Sequence, residues 1–109
     1  MEKYTIEYYS DSLQDEILNL PDVIKQRYLR YTDKMEEFGS NLGLPHTAPM
    51  GDGLFELRIH GQDGIARVFF CTKVGRKIIM LHCFIKKTQK TPKRELDTAR
   101  TRMNEVKND

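Results

Sequence analysis

Apolar residues that recur at steps of four and three positions predict three amphipathic helices. The first follows candidate N-cap residues at positions 10–12 and would bury Leu13, Ile17 and Leu20. The second has Pro21 at its first position and ends at Gly39, and its apolar stripe comprises Ile24, Tyr28, Tyr31, Met35 and Phe38. The third runs from Pro92, after an N-cap at Thr91, to about Lys107, and would bury Leu96, Ala99, Met103 and Val106.

Runs rich in aromatic and β-branched residues predict four strands, at residues 4–9, 54–60, 65–72 and 77–85. The last three are joined by short connections that contain glycine, GQDG and KVGR, and should form an antiparallel meander. Residues 39–53, with four glycines and two prolines, are predicted to form a loop. The sequence therefore predicts a single α+β domain, residues 1–109, in which an antiparallel sheet carries two N-terminal helices and a C-terminal helix.

Alternation along the predicted strands divides the side chains of the sheet between two faces. The more apolar set of each strand would lie beneath the helices, which would leave Arg58, Arg67 and His82 on an open face. Two arginines in the middle of strands are unusual and need an explanation. Arg58 could simply pair with Glu56 on the same face, but the strand of Arg67 contains no acid to match it.

Composition is typical of a globular cytoplasmic protein, with 39% hydrophobic and 31% charged residues, no apolar run of membrane-spanning length and no signal-peptide pattern. The two cysteines, Cys71 and Cys83, lie on different predicted strands without metal-ligand spacing, so we expect reduced thiols and neither a metal nor another cofactor. Charge changes sign along the chain: residues 1–57 carry 5 Lys/Arg and 11 Asp/Glu, whereas residues 58–109 carry 13 and 5. The second half is therefore expected to form a basic working surface.

Basic residues concentrate where the last strand meets the last helix. The cluster comprises Lys86, Lys87, Lys90, Lys93 and Arg94. Cations at a helix N-terminus are disfavoured by the helix dipole, so the cluster needs an anionic partner. We infer that this partner is a phosphate backbone.

Three segments carry a resemblance to a known family: LFELRI at 54–59, ARVFF at 66–70 and IIMLHCFIKKTQKTPKRELDTA at 78–99. They resemble the signature of HigB-like toxins, in the phage-associated branch of the RelE/ParE toxin superfamily, and the order of elements is similar over essentially the whole chain. The resemblance implies a RelE-like fold and a type II toxin that cleaves mRNA without a metal, usually on the ribosome. It also implies a cognate antitoxin as partner, often with a helix-turn-helix domain.

Metal-independent cleavage of RNA uses the 2′-hydroxyl as nucleophile and needs a base, groups that stabilise the charged phosphorane, and an acid for the leaving 5′ oxygen. Arg58 and Arg67 suit charge stabilisation, because a guanidinium forms bidentate hydrogen bonds to two phosphate oxygens and stays positively charged. Lys86 and Lys87 could hold a flanking phosphate or supply the proton. His82 is either a catalytic group or a buried, hydrogen-bonded histidine. The residues predicted to bind RNA are Lys73, Lys90, Lys93 and Arg94.

The sequence leaves the general base open. Some HigB-like and RelE-like toxins use a C-terminal tyrosine or an acid and histidine pair, and this chain has no tyrosine after Tyr31. Two other functions stay possible: a ParE-like inhibitor of DNA gyrase that needs no catalytic residues, and a nucleic-acid-binding module without activity. Arg58 and Arg67, together with the pair of adjacent lysines, favour the nuclease. An antitoxin could cover the basic site or obstruct the ribosome by bulk alone.

Overall fold

The computed structural model describes residues 3–43, 45–62, 64–86 and 90–108. In chain order the elements are β1 (Thr5–Tyr8), α1 (Asp11–Leu18), α2 (Asp22–Phe38), β2 (Thr47–Gly51), β3 (Leu54–His60), β4 (Ile65–Lys73), β5 (Lys77–Lys86) and α3 (Lys93–Lys107). The protein is thus α+β, as predicted, with one sheet of strand order β1-β5-β4-β3-β2. Within the described ranges, none of the helices combines the length and the apolar character needed to cross a bilayer.

Helices cover both faces of the sheet. On one face, α1 and α2 pack over a core that includes Tyr28, Leu57, Val68 and Met80. On the other face, α3 packs over a second core that includes Phe69, Leu81, Ala99 and Met103. The prediction of an open face is therefore wrong, because the apolar stripe of α3 needs a surface of its own to bury against.

The predicted sheet was correct for β3, β4 and β5, which form the expected antiparallel meander. It was wrong at both edges. β1 pairs with β5 in parallel rather than antiparallel. β2 lies inside the segment predicted to be a loop and pairs with β3 through a tight turn, in which Asp52 has φ 57° and Gly53 has φ 88°. Pro49 is tolerated in β2 because an edge strand can lack one donor.

The helices begin within one residue of the positions predicted from their capping residues and prolines. Ser10 caps α1 by accepting a hydrogen bond from the backbone nitrogen of Leu13 at 3.1 Å, as predicted. The two longer helices each begin one residue after the predicted proline, so that Pro21 and Pro92 occupy the N-cap positions. One member of the predicted α2 stripe does not join the core: Phe38, the last residue of the helix, is 78% exposed.

Strict alternation fails within β5. Phe69 pairs with His82 and Phe70 pairs with Met80, so Leu81 is one residue too many for the ladder and forms a β-bulge. Leu81 and His82 consequently both face α3. Strict alternation would place His82 on the same face as Met80, but the bulge reverses the order of faces beyond it.

The buried thiol of Cys83 gives a prediction about alkaline pH. Burial and the nearby Glu16 carboxylate raise its pKa from 9.0 to about 12. Between these two values the unfolded chain loses the thiol proton while the folded chain keeps it, so this contribution to stability is complete below about pH 9 and is lost as the pH rises. We expect the free energy of unfolding, measured with urea, to fall less steeply above pH 9 in Cys83→Ala than in the wild-type protein. Equal slopes would contradict the assignment, because other titrating groups are common to both proteins.

Candidate functional site

The register of β3, β4 and β5 arranges the candidate residues in rows on the face beneath α3. The middle row consists of Arg58, Arg67 and Phe84. The row nearer the end of the sheet consists of His60, Ile65 and Lys86, and the row on the other side consists of Glu56, Phe69 and His82. Since strands lie about 4.8 Å apart and alternate residues about 7 Å apart, the three rows span roughly 10 by 14 Å.

Glu56 joins the two arginines. Its Oε1 accepts hydrogen bonds from Arg58 Nε at 2.6 Å and from Arg67 Nη1 at 2.9 Å. Its Oε2 accepts from the hydroxyl of Thr91 at 3.0 Å. Two arginines directly opposite each other on neighbouring strands would repel, and the shared carboxylate offsets that repulsion. Both oxygens of Glu56 are thus engaged, and the carboxylate fixes the orientation of both guanidinium groups.

The two arginines differ in access to solvent. The side chain of Arg58 is 33% exposed, whereas that of Arg67 is only 1% exposed and Glu56 is fully buried. A molecule arriving from solvent therefore meets Arg58, while Arg67 lies behind it. The open-face position expected for Arg67 is wrong, because its acidic partner comes from the adjacent strand rather than from its own.

His82 pairs with a carboxylate from α3. Its Nε2 lies 2.5 Å from Glu95 Oε2, and because a carboxylate can only accept, Nε2 carries the proton of this bond. Its Nδ1 is buried and has no hydrogen-bond partner within the described ranges. The ring stacks parallel to Phe69, with centroids 6.5 Å apart. His82 is thus a largely buried, hydrogen-bonded histidine, but it also lies one row from the arginines.

The basic residues at the start of α3 remain accessible. Lys90 is exposed. Lys93 pairs with Asp97 at 3.0 Å and Arg94 lies 4.0 Å from Glu95, yet both basic side chains are 88% exposed. Exposed pairs of this kind contribute little, so these cations can still contact an anion.

The family model described as "Phage derived protein Gp49-like (DUF891)" matches residues 15–104, which is most of the chain. The chain belongs to the Gp49-like family. This family is related to the toxins of toxin–antitoxin systems. The matched range extends from α1 into α3 and contains every site residue described above. No curated protein gives a significant match.

This Gp49-like protein brings together some of the residues predicted from sequence and separates others. Arg58, Arg67, His82 and Lys86 share one face. Lys73 does not belong with them: it pairs with Lys77, whereas Lys86 pairs with Ile65 at the opposite end of β4, about 27 Å away. The structure therefore separates Lys73 from the other residues predicted to bind RNA. Lys87 lies outside the described residues.

Three contributors to the site were not predicted as such. Thr91 was expected to cap α3, but the helix begins one residue later with Pro92 at the N-cap, and the Thr91 hydroxyl donates to the buried Glu56 carboxylate, whose desolvation needs donors. Glu95 was not singled out, since its contact with His82 depends on how α3 docks. Phe84 stands in the middle row as a half-buried ring beside the arginines. Across the described part of the chain, no three His, Cys, Asp or Glu side chains form a metal-binding group.

Proposed function

We propose that this Gp49-like protein is the toxin of a type II toxin–antitoxin system, with a RelE-like fold and the activity of a HigB-like endoribonuclease that cleaves mRNA on the ribosome. The observation that carries the proposal is the Glu56 cluster, in which the Glu56 carboxylate accepts hydrogen bonds from Arg58, Arg67 and Thr91. A buried ion pair is usually no better for stability than a well-packed apolar pair, so stability alone does not account for two arginines and a glutamate here. The cluster does hold the partly exposed side chain of Arg58 in one orientation, which suits recognition of a phosphate.

In the proposed reaction the 2′-hydroxyl attacks the adjacent phosphorus, the 2′ oxygen forms a bond to it, and the bond to the 5′ oxygen breaks. Arg58 binds the non-bridging oxygens and stabilises their increased charge in the transition state. Arg67 supports the orientation of Glu56 from behind. Lys86, one row away, holds the flanking phosphate or protonates the leaving 5′ oxygen.

His82 is the proposed base, which accepts the proton that the 2′-hydroxyl loses as its oxygen bonds to phosphorus. Glu95 engages Nε2, which leaves Nδ1 as the ring atom that can exchange a proton with the substrate. This arrangement follows the general logic of a histidine oriented by a carboxylate. Because Nδ1 is buried, the proposal requires that bound RNA reaches it by rearranging the surrounding side chains. The half-buried ring of Phe84 offers a face on which a flanking base can stack.

Induced expression without a partner tests this function. Sequencing of RNA 5′ ends after a short pulse should reveal new cleavage sites within messages, while plasmid supercoiling stays unchanged. Loss of supercoiling without cleavage would instead identify a gyrase inhibitor. Intact messages and normal supercoiling, with a folded protein, would overturn the proposal and leave a binding module without activity.

Salt dependence provides a second prediction. Binding that neutralises several phosphates releases counterions, so the logarithm of the affinity for RNA should fall steeply with the logarithm of the salt concentration. Each of the changes Lys90→Gln, Lys93→Gln and Arg94→Gln should reduce that slope by roughly 0.7 to 0.9. Lys73→Gln, at the far end of β4, is the matched control and should leave it unchanged. An affinity for RNA that does not change with ionic strength would contradict the electrostatic model.

We also propose a cognate antitoxin as partner. It either covers the basic face or binds elsewhere and keeps the toxin from the ribosome by bulk. Amide hydrogen exchange in the complex distinguishes the two modes. Protection within residues 58–93 supports direct cover, whereas protection confined to residues 22–38 supports the second mode.

A further inference from the structure

The β-bulge at Leu81 is held by two groups that lie outside the β4–β5 ladder. The carbonyl of Leu81 accepts a hydrogen bond from Arg102 Nη1 at 2.9 Å. The carbonyl of Met80 accepts from the backbone nitrogen of Tyr9 at 2.8 Å. A bulge leaves its extra residue unpaired in the ladder, so Arg102 satisfies an acceptor that β4 cannot reach.

Arg102 is itself fixed in place. Its guanidinium lies over the ring of Tyr9, 4.6 Å from the ring centroid. The hydroxyl of Tyr9 donates to Glu105, one turn further along α3, at 2.6 Å. These three residues, Tyr9, Arg102 and Glu105, form a bracket that connects the end of β1, the bulge and the outer side of α3.

The bulge decides where His82 lies. Residues two apart on a regular strand share a face, so without the extra residue His82 would lie with Met80 beneath α1 and α2. The insertion turns His82 to the other face, beside Phe69 and within 2.5 Å of Glu95. Helix α3 therefore holds His82 twice, through Glu95 on the ring and through Arg102 on the backbone before it.

We infer that Arg102 is a positioning residue for His82: it stabilises the bulge that directs the imidazole toward Glu95 and the row of arginines. The expected effect of Arg102 on catalysis rests on the proposed function. Its expected effect on the position of the His82 ring does not. Arg102 would not touch the substrate in this role. Its removal should let β5 relax toward regular alternation and displace the histidine.

Arg100 provides a matched control on the same helix. It donates to the carbonyls of Met50 at 2.6 Å and Gly51 at 3.3 Å, both on β2. Arg100→Met and Arg102→Met thus each remove one positive charge and hydrogen bonds from α3 to strand carbonyls. Only Arg102 is connected to the bulge.

The first measurement is steady-state cleavage of a short fluorogenic RNA oligonucleotide by the full-length protein. Arg102→Met should lower kcat by about 10- to 100-fold, the loss expected from a small misplacement of a reacting group, with KM changed little. Arg100→Met should keep both constants close to wild type, and Arg102→Lys, which keeps a donor, should recover part of kcat. In a His82→Ala background Arg102→Met should cause no further loss, because the two changes act through the same ring.

The second measurement needs no activity. Long-range ¹H–¹⁵N spectra report the environment of the His82 ring, identified by its absence in His82→Ala. We expect its signals to shift in Arg102→Met and to stay in place in Arg100→Met.

If the wild-type protein cleaves no RNA but the ring responds in this way, the proposed function fails and the positioning role stands. Unmoved His82 signals, equal effects of the two arginine variants, or full additivity with His82→Ala would overturn the positioning role. If Arg102→Met does not fold, Arg102→Lys provides the same comparisons.

Discussion

Arg67→Met is expected to lower the free energy of unfolding by about 3 kcal/mol, because it removes one of the two charged partners that the fully buried Glu56 has among the described residues. Breaking a buried pair on one side costs about 3 to 5 kcal/mol, and the lower value applies here since Arg58 and Thr91 still bind the carboxylate. Urea unfolding followed by circular dichroism measures the change. A domain of this size has only about 5–15 kcal/mol of stability, so the variant should unfold at a clearly lower denaturant concentration.

The double variant Glu56→Leu/Arg67→Met is the control for this interpretation. Removing both charges leaves no buried ion without its partner, so much of the lost stability should return. The same double variant should lose activity, because Arg58 loses the carboxylate that orients it. If Arg67→Met is as stable as wild type, Glu56 is not the buried charged centre that the hydrogen bonds indicate.

The sequence alone predicted an open-face position for Arg67, whereas the structure buries its side chain against Glu56. Counting acids along a single strand finds none beside Arg67. The partner is on the neighbouring strand, where the register sets Arg58 directly opposite Arg67 and brings Glu56 within 2.9 Å. Register follows from the packing of the whole sheet and is only weakly readable from one strand.

Elements with a clear period were predictable, and those defined by turn chemistry or pairing partner were not. The three-strand meander and the apolar stripes of the helices follow from local sequence. β2 was missed because its glycines and proline indicate a loop, although the Asp52 and Gly53 pair is itself a hairpin signal. The parallel pairing of β1 with β5 depends on contacts between distant parts of the chain.

Within the candidate site, Arg58 and His82 were predicted to share a face, and they do. The alternation that led to this prediction was nevertheless wrong for β5, where the bulge at Leu81 brings His82 to that face. A bulge depends on groups that satisfy its backbone from elsewhere, here Arg102 and Tyr9. Glu95 was missed for the same physical reason, since its role depends on the docking of α3 rather than on the strand that it contacts.

The second large effect is expected from Arg58→Met, which should reduce RNA cleavage by about 100- to 1000-fold, as removal of a preorganised group that stabilises transition-state charge does. Its side chain is 33% exposed, so the variant should lose less stability than Arg67→Met. The loss should fall mainly on kcat, because Lys90, Lys93 and Arg94 still supply exposed positive charge for binding. Cleavage of the fluorogenic oligonucleotide under saturating and limiting substrate separates the two constants.

Arg58→Lys and Arg30→Met complete the test. Lysine keeps the charge but not the fork that can bond Glu56 and a phosphate together, so Arg58→Lys should be intermediate in kcat. Arg30 is an exposed cation on α2, and its removal should change neither cleavage nor stability appreciably. If a folded Arg58→Met cleaves RNA as fast as the wild-type protein, the Glu56 cluster is a structural feature of the sheet and the catalytic centre lies elsewhere. If Arg58→Lys is as inactive as Arg58→Met, the bidentate geometry of the guanidinium is required, because positive charge alone would then have been retained without effect.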